Sequence, residues 1–384
     1  MDRETELRLI DRCAKLAKEN DREMSQEGQS EAARYTDDAL FSKEQAYMRH
    51  LPIMAAHSSE LPERGSYVAK DWLEEFPLLL TRDMDGEVHA FANACRHRGS
   101  RLTDNGTGCG RRLMCPYHAW TYDIAGQLKS IPHKSGFPSI DPSDIKLKEL
   151  PSAEVGGFIW VQREGEGPLD IEAYLGGLLP DFNWFGSEDH VLFAEAEKVW
   201  EANWKILVEG GIESYHFKIA HRNTIAPLFR DALSVFDEFG PHFRSVLAKE
   251  SIKGAQDIPK DERKIRDHAN ILYSFFPMNS ILVQPDHFAV ITNTPISAGK
   301  THVKIQTFVP KDGPETEKMQ AHWQANFDFT HKTLLEDFVL AEQIQKNMET
   351  GASDQLHFGR FEDALTRLHE LNEGMIAKYA ARLD

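Results

Sequence analysis

Along residues 4–20, Leu7, Ile10, Cys13, Ala14 and Ala17 recur at helical spacing while charged residues fill the positions between them, which predicts an amphipathic docking helix. From about residue 65 the pattern changes. Short β-rich runs (PLLLTRD, EVHAFANAC, GFIWVQ) are separated by turn pairs such as Asp85-Gly86 and Asn105-Gly106, as in a small antiparallel β domain reaching to about residue 165. Residues 163–190 are rich in Gly, Pro, Asp and Glu and read as a connection. A second domain opens with a helical segment near 201–221 and continues with alternating strands (SILVQP, FAVITNTPI, HVKIQTFVP). It closes with long helical stretches over about 315–350 and 359–382. Gln284-Pro285-Asp286-His287, between two apolar runs, is a hairpin turn. The expected division is an N-terminal helical docking segment over 1–64, the small β domain over 65–165 and a larger α+β domain over 190–384.

A length of 384 residues suits two domains, and a hydrophobic fraction of 41% is that of an ordinary globular protein. A net charge of -17 would repel nucleic acid and anionic membranes, so the expected partners are a small molecule and other proteins. The N-terminal MDRETELRLIDRCAKLAKEN is charged from its second residue and has no apolar stretch of signal-peptide or membrane-spanning kind, which predicts a cytoplasmic protein. Four cysteines, Cys13, Cys95, Cys109 and Cys115, are too few for a disulfide scaffold; metal ligation is the better use for at least two.

Cys95-Arg96-His97 and Cys115-Pro116-Tyr117-His118 give C-x-H, 17 intervening residues, then C-x-x-H. Two thiolates and two imidazoles thus arrive on two short loops, one of each per loop. That is the ligand set of a Rieske [2Fe-2S] centre, two Cys on one iron and two His on the other. A tetrahedral Cys2His2 zinc site uses the same atoms, but zinc fingers pair Cys with Cys and His with His along the chain, so the interleaving favours the cluster. Cys109, between the loops, reads as an ordinary small thiol.

A second constellation lies further on. His216 and His221 are five residues apart, about 140° around a regular helix, so sharing a metal requires the helix to end or bulge between them. Gly210 and Gly211 already loosen it. In the stretch 331–348, Leu334, Asp337, Ala341, Ile344 and Met348 fall on one stripe, which makes Asp337 an acid on an apolar face. With the two His it would complete a 2-His-1-carboxylate facial triad for Fe(II). Glu336 points to another face with Lys332 and Gln343 and reads as a solvated charge.

CRHRG followed by CPYHAW resembles the cluster loops of Rieske proteins, in particular of ring-hydroxylating oxygenase α subunits. Respiratory Rieske proteins carry an extra Cys on each loop where this chain has Ser100 and Tyr117. NWK at 203–205, ESYH at 213–216, His221, the pair Glu336-Asp337 and Gln345 are similar to the family's helix-grip (START-like) catalytic domain, so the resemblance spans about residues 65–350. It implies an α+β protein: a Rieske domain whose [2Fe-2S] cluster is held by Cys95, His97, Cys115 and His118, and a catalytic domain whose mononuclear non-haem Fe(II) is held by His216, His221 and Asp337. It further implies a homotrimer in which Glu213 bridges His118 of one protomer and His216 of the next, passing electrons from an NAD(P)H-dependent reductase or ferredoxin. The implied reaction uses O2 to hydroxylate or demethylate a small organic substrate. Two positions depart from the family pattern: Gly210 stands where Asn is common, and Glu213 where Asp is common. Glu at the latter occurs in the branch acting on quaternary ammonium compounds. For such a substrate Tyr273, Phe275, Phe276 and Phe288 are candidate walls of an aromatic cage, though each also suits ordinary core. An aromatic carboxylate would instead want a buried Arg or Lys. Outside this class stand a Rieske electron-transfer protein without catalysis and a helix-grip binding protein. Around the cluster loops Arg96, Arg98, Arg101, Arg111 and Arg112 against Asp104 make a patch of +4 between residues 95 and 115, a candidate docking site for an acidic electron donor, with at least two of the five expected to be paired locally.

Overall fold

The structure, a computed structural model, describes residues 1–380. The chain forms two compact units, one of Arg49–Tyr174 and the other of Met1–Met48 with the chain from Leu175 onward.

The Arg49–Tyr174 unit is antiparallel β. A five-stranded sheet runs in the order Glu149–Leu150, Val88–Ala92, Phe76–Arg82, Ser66–Trp72, Gly106–Cys109, and a three-stranded one joins Arg112–Met114, Thr121–Asp123 and Leu128–Ser130. A third pairs Ser152–Val155, Phe158–Val161 and Ile53–His57. The Asp85-Gly86 turn forms because Gly86 takes φ +99° and the Asp83 carboxylate accepts the N–H groups of Asp85, Gly86 and Glu87. Leu79, Phe91, Leu113, Trp120 and Tyr122 form the core, with Cys95 and Cys115 buried at its edge.

The other unit is built on a seven-stranded antiparallel sheet of β1 (His190–Trp200), β2 (Phe229–Phe239), β3 (His242–Lys249), β4 (Ala269–Phe275), β5 (Asn279–Val283), β6 (Phe288–Ser297) and β7 (Lys300–Pro310), ordered β1-β7-β6-β5-β4-β3-β2. The expected hairpin at Gln284–His287 joins β5 to β6 and is closed by the Gln284 N–H donating to the His287 carbonyl. Of the helices, α1 (Arg3–Glu19) buries Leu9, Ile10, Cys13, Ala14 and Ala17, as its pattern requires, and is capped by Asp2. α2 (Asp38–Met48), α3 (Trp204–Ile212), the single turn α4 (Phe217–Ala220), the 33-residue α5 (Glu317–Glu349) and α6 (Asp363–Ala380) follow. Residues 381 and 382, the end of the last expected helical stretch, lie outside the described residues. The expected connection over 163–190 is partly helical at Ile171–Tyr174 and Leu179–Phe185, because Phe182 and Phe185 bury completely and Pro180 suits a first turn. No described helix is long and apolar enough to cross a membrane.

The NWK run explains the position of α3. Asn203 caps it by accepting the Lys205 N–H and donates its amide to the carbonyls of Tyr35 and Ala298. Trp204 Nε1 and Lys205 Nζ both donate to Glu44 of α2, at 2.9 and 2.6 Å, in a site closed to solvent. Gln345 on α5 accepts the Asn203 N–H at 3.1 Å. One residue triplet therefore locks α3 to α2, α5 and the turn after β6.

Candidate metal centres and substrate cavity

In the Arg49–Tyr174 unit two loops of matching build present the sequence-predicted cluster ligands. Each is closed on itself, Cys95 N–H to Ser100 carbonyl and Gly99 N–H to Cys95 carbonyl in the first, Cys115 N–H to Trp120 carbonyl and Ala119 N–H to Cys115 carbonyl in the second. Gly99 and Ala119 turn the chain with positive φ, +78° and +57°. The His97 and His118 rings lie 4.7 Å apart, His97 stacked on Trp120. Burial works against ionising Cys115, but the N–H groups of Tyr117 and His118 outweigh it and hold that thiol below its ordinary pKa. Tyr122 Oη stands 3.4 Å from Cys95 Sγ. His118 Nδ1 is buried with no hydrogen-bond partner, a costly state for an imidazole nitrogen unless it ligates. Two thiols, two imidazoles and this orphaned nitrogen fit a [2Fe-2S] cluster. Of the five arginines, Arg101 pairs with Asp71 at 2.5 Å and Arg98 lies over Tyr117, whereas Arg96, Arg111 and Arg112 are exposed and make no ion pair among the described residues. Cys109 is exposed.

In the other unit α3 ends at Ile212, earlier than a helix running to 221 would require, and Glu213 is extended (φ -123°, ψ 170°). The chain resumes helix only for α4, with His216 just before it and His221 just after, so the break lets both imidazoles face one point. Asp337 of α5 meets them there. His216 Nε2 and His221 Nε2 are 3.1 Å apart, and Asp337 Oδ1 is 3.1 Å from His221 Nε2 and 3.4 Å from His216 Nε2. Adjacent octahedral positions about 2.1 Å from a metal are separated by about 3 Å, so the three atoms form one face around a cation. They are the one group of three or more His, Cys, Asp or Glu among the described residues that converges in this way. Burial alone would lower the pKa of both imidazoles; the carboxylates Glu213 and Asp337 reverse this at His216, and Asp337 and Glu336 at His221, so both are held above the ordinary value. Such an excess of carboxylate around two imidazoles is the charge pattern a divalent cation satisfies. Glu213 accepts from His216 Nδ1 and from the Tyr215 N–H.

Glu336 corrects the sequence reading. It is not a solvated charge beside Lys332 and Gln343: Oε2 accepts from His221 Nδ1 at 2.9 Å and from Thr224 Oγ1 at 2.6 Å. The loop after His221 folds back onto α5, bringing a donor to a helix face that would otherwise meet water. Thr224 was likewise invisible in the sequence. Ile344, expected on the buried stripe with Asp337, is 40% exposed, whereas Ala341 and Met348 are buried.

A cavity of about 250 Å³ opens beside the triad, between the sheet, α3 and α5, with Val208, Leu272, Leu282, Phe338, His221 and Asp337 on its wall. Tyr273, Phe275, Phe276 and Phe288 do not line it. In β4 Asn270 and Leu272 face the cavity, so strand alternation sends Tyr273 and Phe275 to the opposite face, where Tyr273 is sealed with its hydroxyl donating to Asp181 at 2.7 Å. Phe276 stacks on Tyr47, and Phe288 on Phe308.

Comparison with known proteins assigns a family to each of the two regions. Residues 52–149 match the Rieske [2Fe-2S] domain, and residues 188–377 match the ring hydroxylating alpha subunit (catalytic domain). The chain is 27% identical over 360 residues to the glycine betaine monooxygenase oxygenase subunit of Pseudomonas aeruginosa, covering 83% of this chain and 82% of that one. It is 34% identical over 208 residues to the toluate 1,2-dioxygenase subunit alpha of Pseudomonas putida, covering 50% and 44%. Its fold superposes with a TM-score of 0.75 on a quaternary ammonium Rieske monooxygenase in complex with L-carnitine (21% identity, 90% of this chain, 94% of that one). The TM-score is also 0.75 for naphthalene 1,2-dioxygenase with indole bound (20% identity, 91% and 92%).

Proposed function

The chain belongs to the Rieske non-haem iron oxygenases, enzymes that incorporate molecular oxygen into a small substrate, and on that premise we propose that His216, His221 and Asp337 hold its mononuclear iron while Cys95, His97, Cys115 and His118 hold its [2Fe-2S] cluster. The observation carrying this reading is the mutual approach of the three ligand atoms to 3.1–3.4 Å at the helix break. When bound, the metals supply electron delivery and oxygen activation. The chain's own residues do the rest. Glu213 and Glu336 each accept a hydrogen bond from the Nδ1–H of one imidazole, which keeps that proton on Nδ1 and leaves both Nε2 lone pairs directed at one point beside Asp337. The apolar wall of Leu272, Leu282 and Phe338 holds the substrate against that face and keeps water from it.

The proposed working form is a cytoplasmic homotrimer fed by an NAD(P)H-dependent reductase or ferredoxin, in which the Glu213 that anchors His216 also reaches His118 of the neighbouring protomer. The domain reading proposed alongside it is a cluster-bearing domain over 65–165 and an iron-bearing domain over 190–384, with residues 1–64 docking. The relatives' names point to quaternary ammonium compounds on one side and aromatic acids on the other. Oxidative attack on a small molecule of either kind, by hydroxylation or demethylation, is the activity proposed.

Asp337→Ala tests the iron assignment. It is expected to leave the visible spectrum of the cluster intact, lower iron from about three to about two per chain, and abolish substrate oxidation. Retained turnover would remove Asp337 from the site.

A further inference from the structure

The cavity is electrically lopsided. At one end stand His221 and Asp337. At the other is Lys249, the last residue of β3, half-buried, with Nζ donating at 3.3 Å to the Arg266 carbonyl and no ion pair to any carboxylate among the described residues. Asp286, the acid of the adjacent turn, is already held by His287 and His322, at 2.8 and 2.9 Å. Burial lowers the pKa of Lys249 and outweighs the opposing pull of Asp267 and Asp286, neither of which reaches it as an ion pair.

The register fixes how far apart the two ends are. Leu247 of β3 pairs with Asn270 of β4, and Ile271 pairs with Val283, so Asn270 and Gln284 stand level with one another and Lys249 lies beyond them toward the β5–β6 turn. Gln284 Nε2 donates to Thr330 Oγ1 of α5 at 3.2 Å, which fixes Thr330 at the same level. Asp337 is seven residues further along that helix, about 10 Å at 1.5 Å per residue. The intervening wall is largely apolar, with Ser280 and Thr333 among its polar members. Near the lysine end Asn270 lines the cavity with its side-chain oxygen buried and unpaired; Asn293 on β6, whose N–H donates to the Met278 carbonyl, lines the far end in the same state.

The walls also say what is not received. No Tyr or Trp lines the cavity, and its one carboxylate is Asp337, already committed to the triad. A quaternary ammonium group would find only phenylalanine faces, the weakest of the aromatic acceptors, and a lysine that repels it.

Resting on the oxygenase reading above, we infer that the substrate is an elongated, largely apolar anion whose carboxylate or sulfonate pairs with Lys249 while its opposite end, at least about 10 Å away, meets the His216–His221–Asp337 face. Lys249 is then the residue that sets substrate class.

Equilibrium binding to the anaerobic, metal-loaded protein separates this inference from the oxygenase reading. Three probes of one shape are compared: 4-phenylbutanoate, 4-phenylbutanamide and (4-phenylbutyl)trimethylammonium. The acid is expected to bind most tightly and the cation least. Lys249→Met should weaken the acid by about 10- to 100-fold, the size of a lost charge-assisted pair, leave the amide within about threefold, and be largely rescued by Lys249→Arg. A cation that binds better than the acid, acid binding unchanged by Lys249→Met, or no binding of the acid overturns the inference. Acid binding that depends on Lys249, with no oxidised product when electrons and oxygen are then supplied, upholds it and counts against 4-phenylbutanoate turnover alone; oxidation of a different substrate without dependence on Lys249 has the opposite meaning.

Discussion

Replacing Glu336 by leucine removes the anion that orients His221 without touching any of the three atoms facing the metal position. In the folded chain one carboxylate oxygen receives two hydrogen bonds, 2.9 Å from His221 Nδ1 and 2.6 Å from Thr224 Oγ1. The threonine hydroxyl has an alternative acceptor in the His221 carbonyl at 3.4 Å, so most of the loss falls on the imidazole. A hydrogen bond to a charged partner contributes about 1.5–3 kcal/mol, equivalent to roughly 10- to 150-fold in an equilibrium constant. Without it the ring is free to rotate or to place its proton on Nε2, the nitrogen the metal needs. Glu336→Leu should therefore weaken mononuclear iron binding by about 10- to 100-fold, the range found for carboxylates behind metal-bound histidines. Glu336→Gln, which keeps a neutral acceptor in place, should fall between it and the parent. Chelator competition measures iron retention, and the absorption of the cluster, in the other unit, serves as an internal control for intact protein. Iron affinity and turnover within twofold of the parent in Glu336→Leu would refute the orienting role.

Two further outcomes follow from the same structure. Lys205→Met leaves the fully buried carboxylate of Glu44 with only the neutral donors Trp204 Nε1 and Asn372 Nδ2, and breaking a buried pair costs about 3–5 kcal/mol, so the melting temperature should fall by roughly 10 °C. The double variant Glu44→Gln/Lys205→Met should recover more than half of that loss, and a melting curve unmoved by Lys205→Met would show the pair to be dispensable. Reversing charge at the exposed Arg111 and Arg112 should slow reduction of the cluster by its protein donor, most at low ionic strength, while chemically reduced enzyme turns over normally; stopped-flow rates that ignore both the substitutions and salt would place the donor elsewhere.

What could be read from the sequence was what lies close together along it. The proposed cluster ligands sit on two loops of a few residues each, and for His216 and His221 to share a metal their five-residue spacing already required a broken helix. Asp337 stood out because it interrupts an apolar stripe. Glu336 did not, because its partners His221 and Thr224 are more than a hundred residues away and come into view only when the loop folds onto α5. The aromatic cage failed for a different reason. β4 is buried on both faces almost throughout, which erases the alternation that tells inside from outside, so nothing in ILYSFF distinguishes the cavity side from the core side. Lys249 was hidden in the same way, as one lysine among many until the strand register placed it over the cavity.

The pairing of residues 28–31 with 355–358, and of Glu44 with both Lys205 and Asn372, has a consequence for how the protein is made. A nascent chain leaves the ribosome at about 5–20 residues per second. The Arg49–Tyr174 unit is continuous in sequence and has all its strands some tens of seconds before residue 372 emerges. The leading 48 residues wait longer than that unit does: the apolar face of Leu9, Ile10, Cys13 and Ala14 is covered only once residues 229–268 have followed, and residues 28–31 and Glu44 gain their last partners only once residues 355–372 have. Demand for chaperones should therefore concentrate on the first 48 residues. Cluster insertion can begin during synthesis, whereas the site of the mononuclear iron is finished only among the last steps.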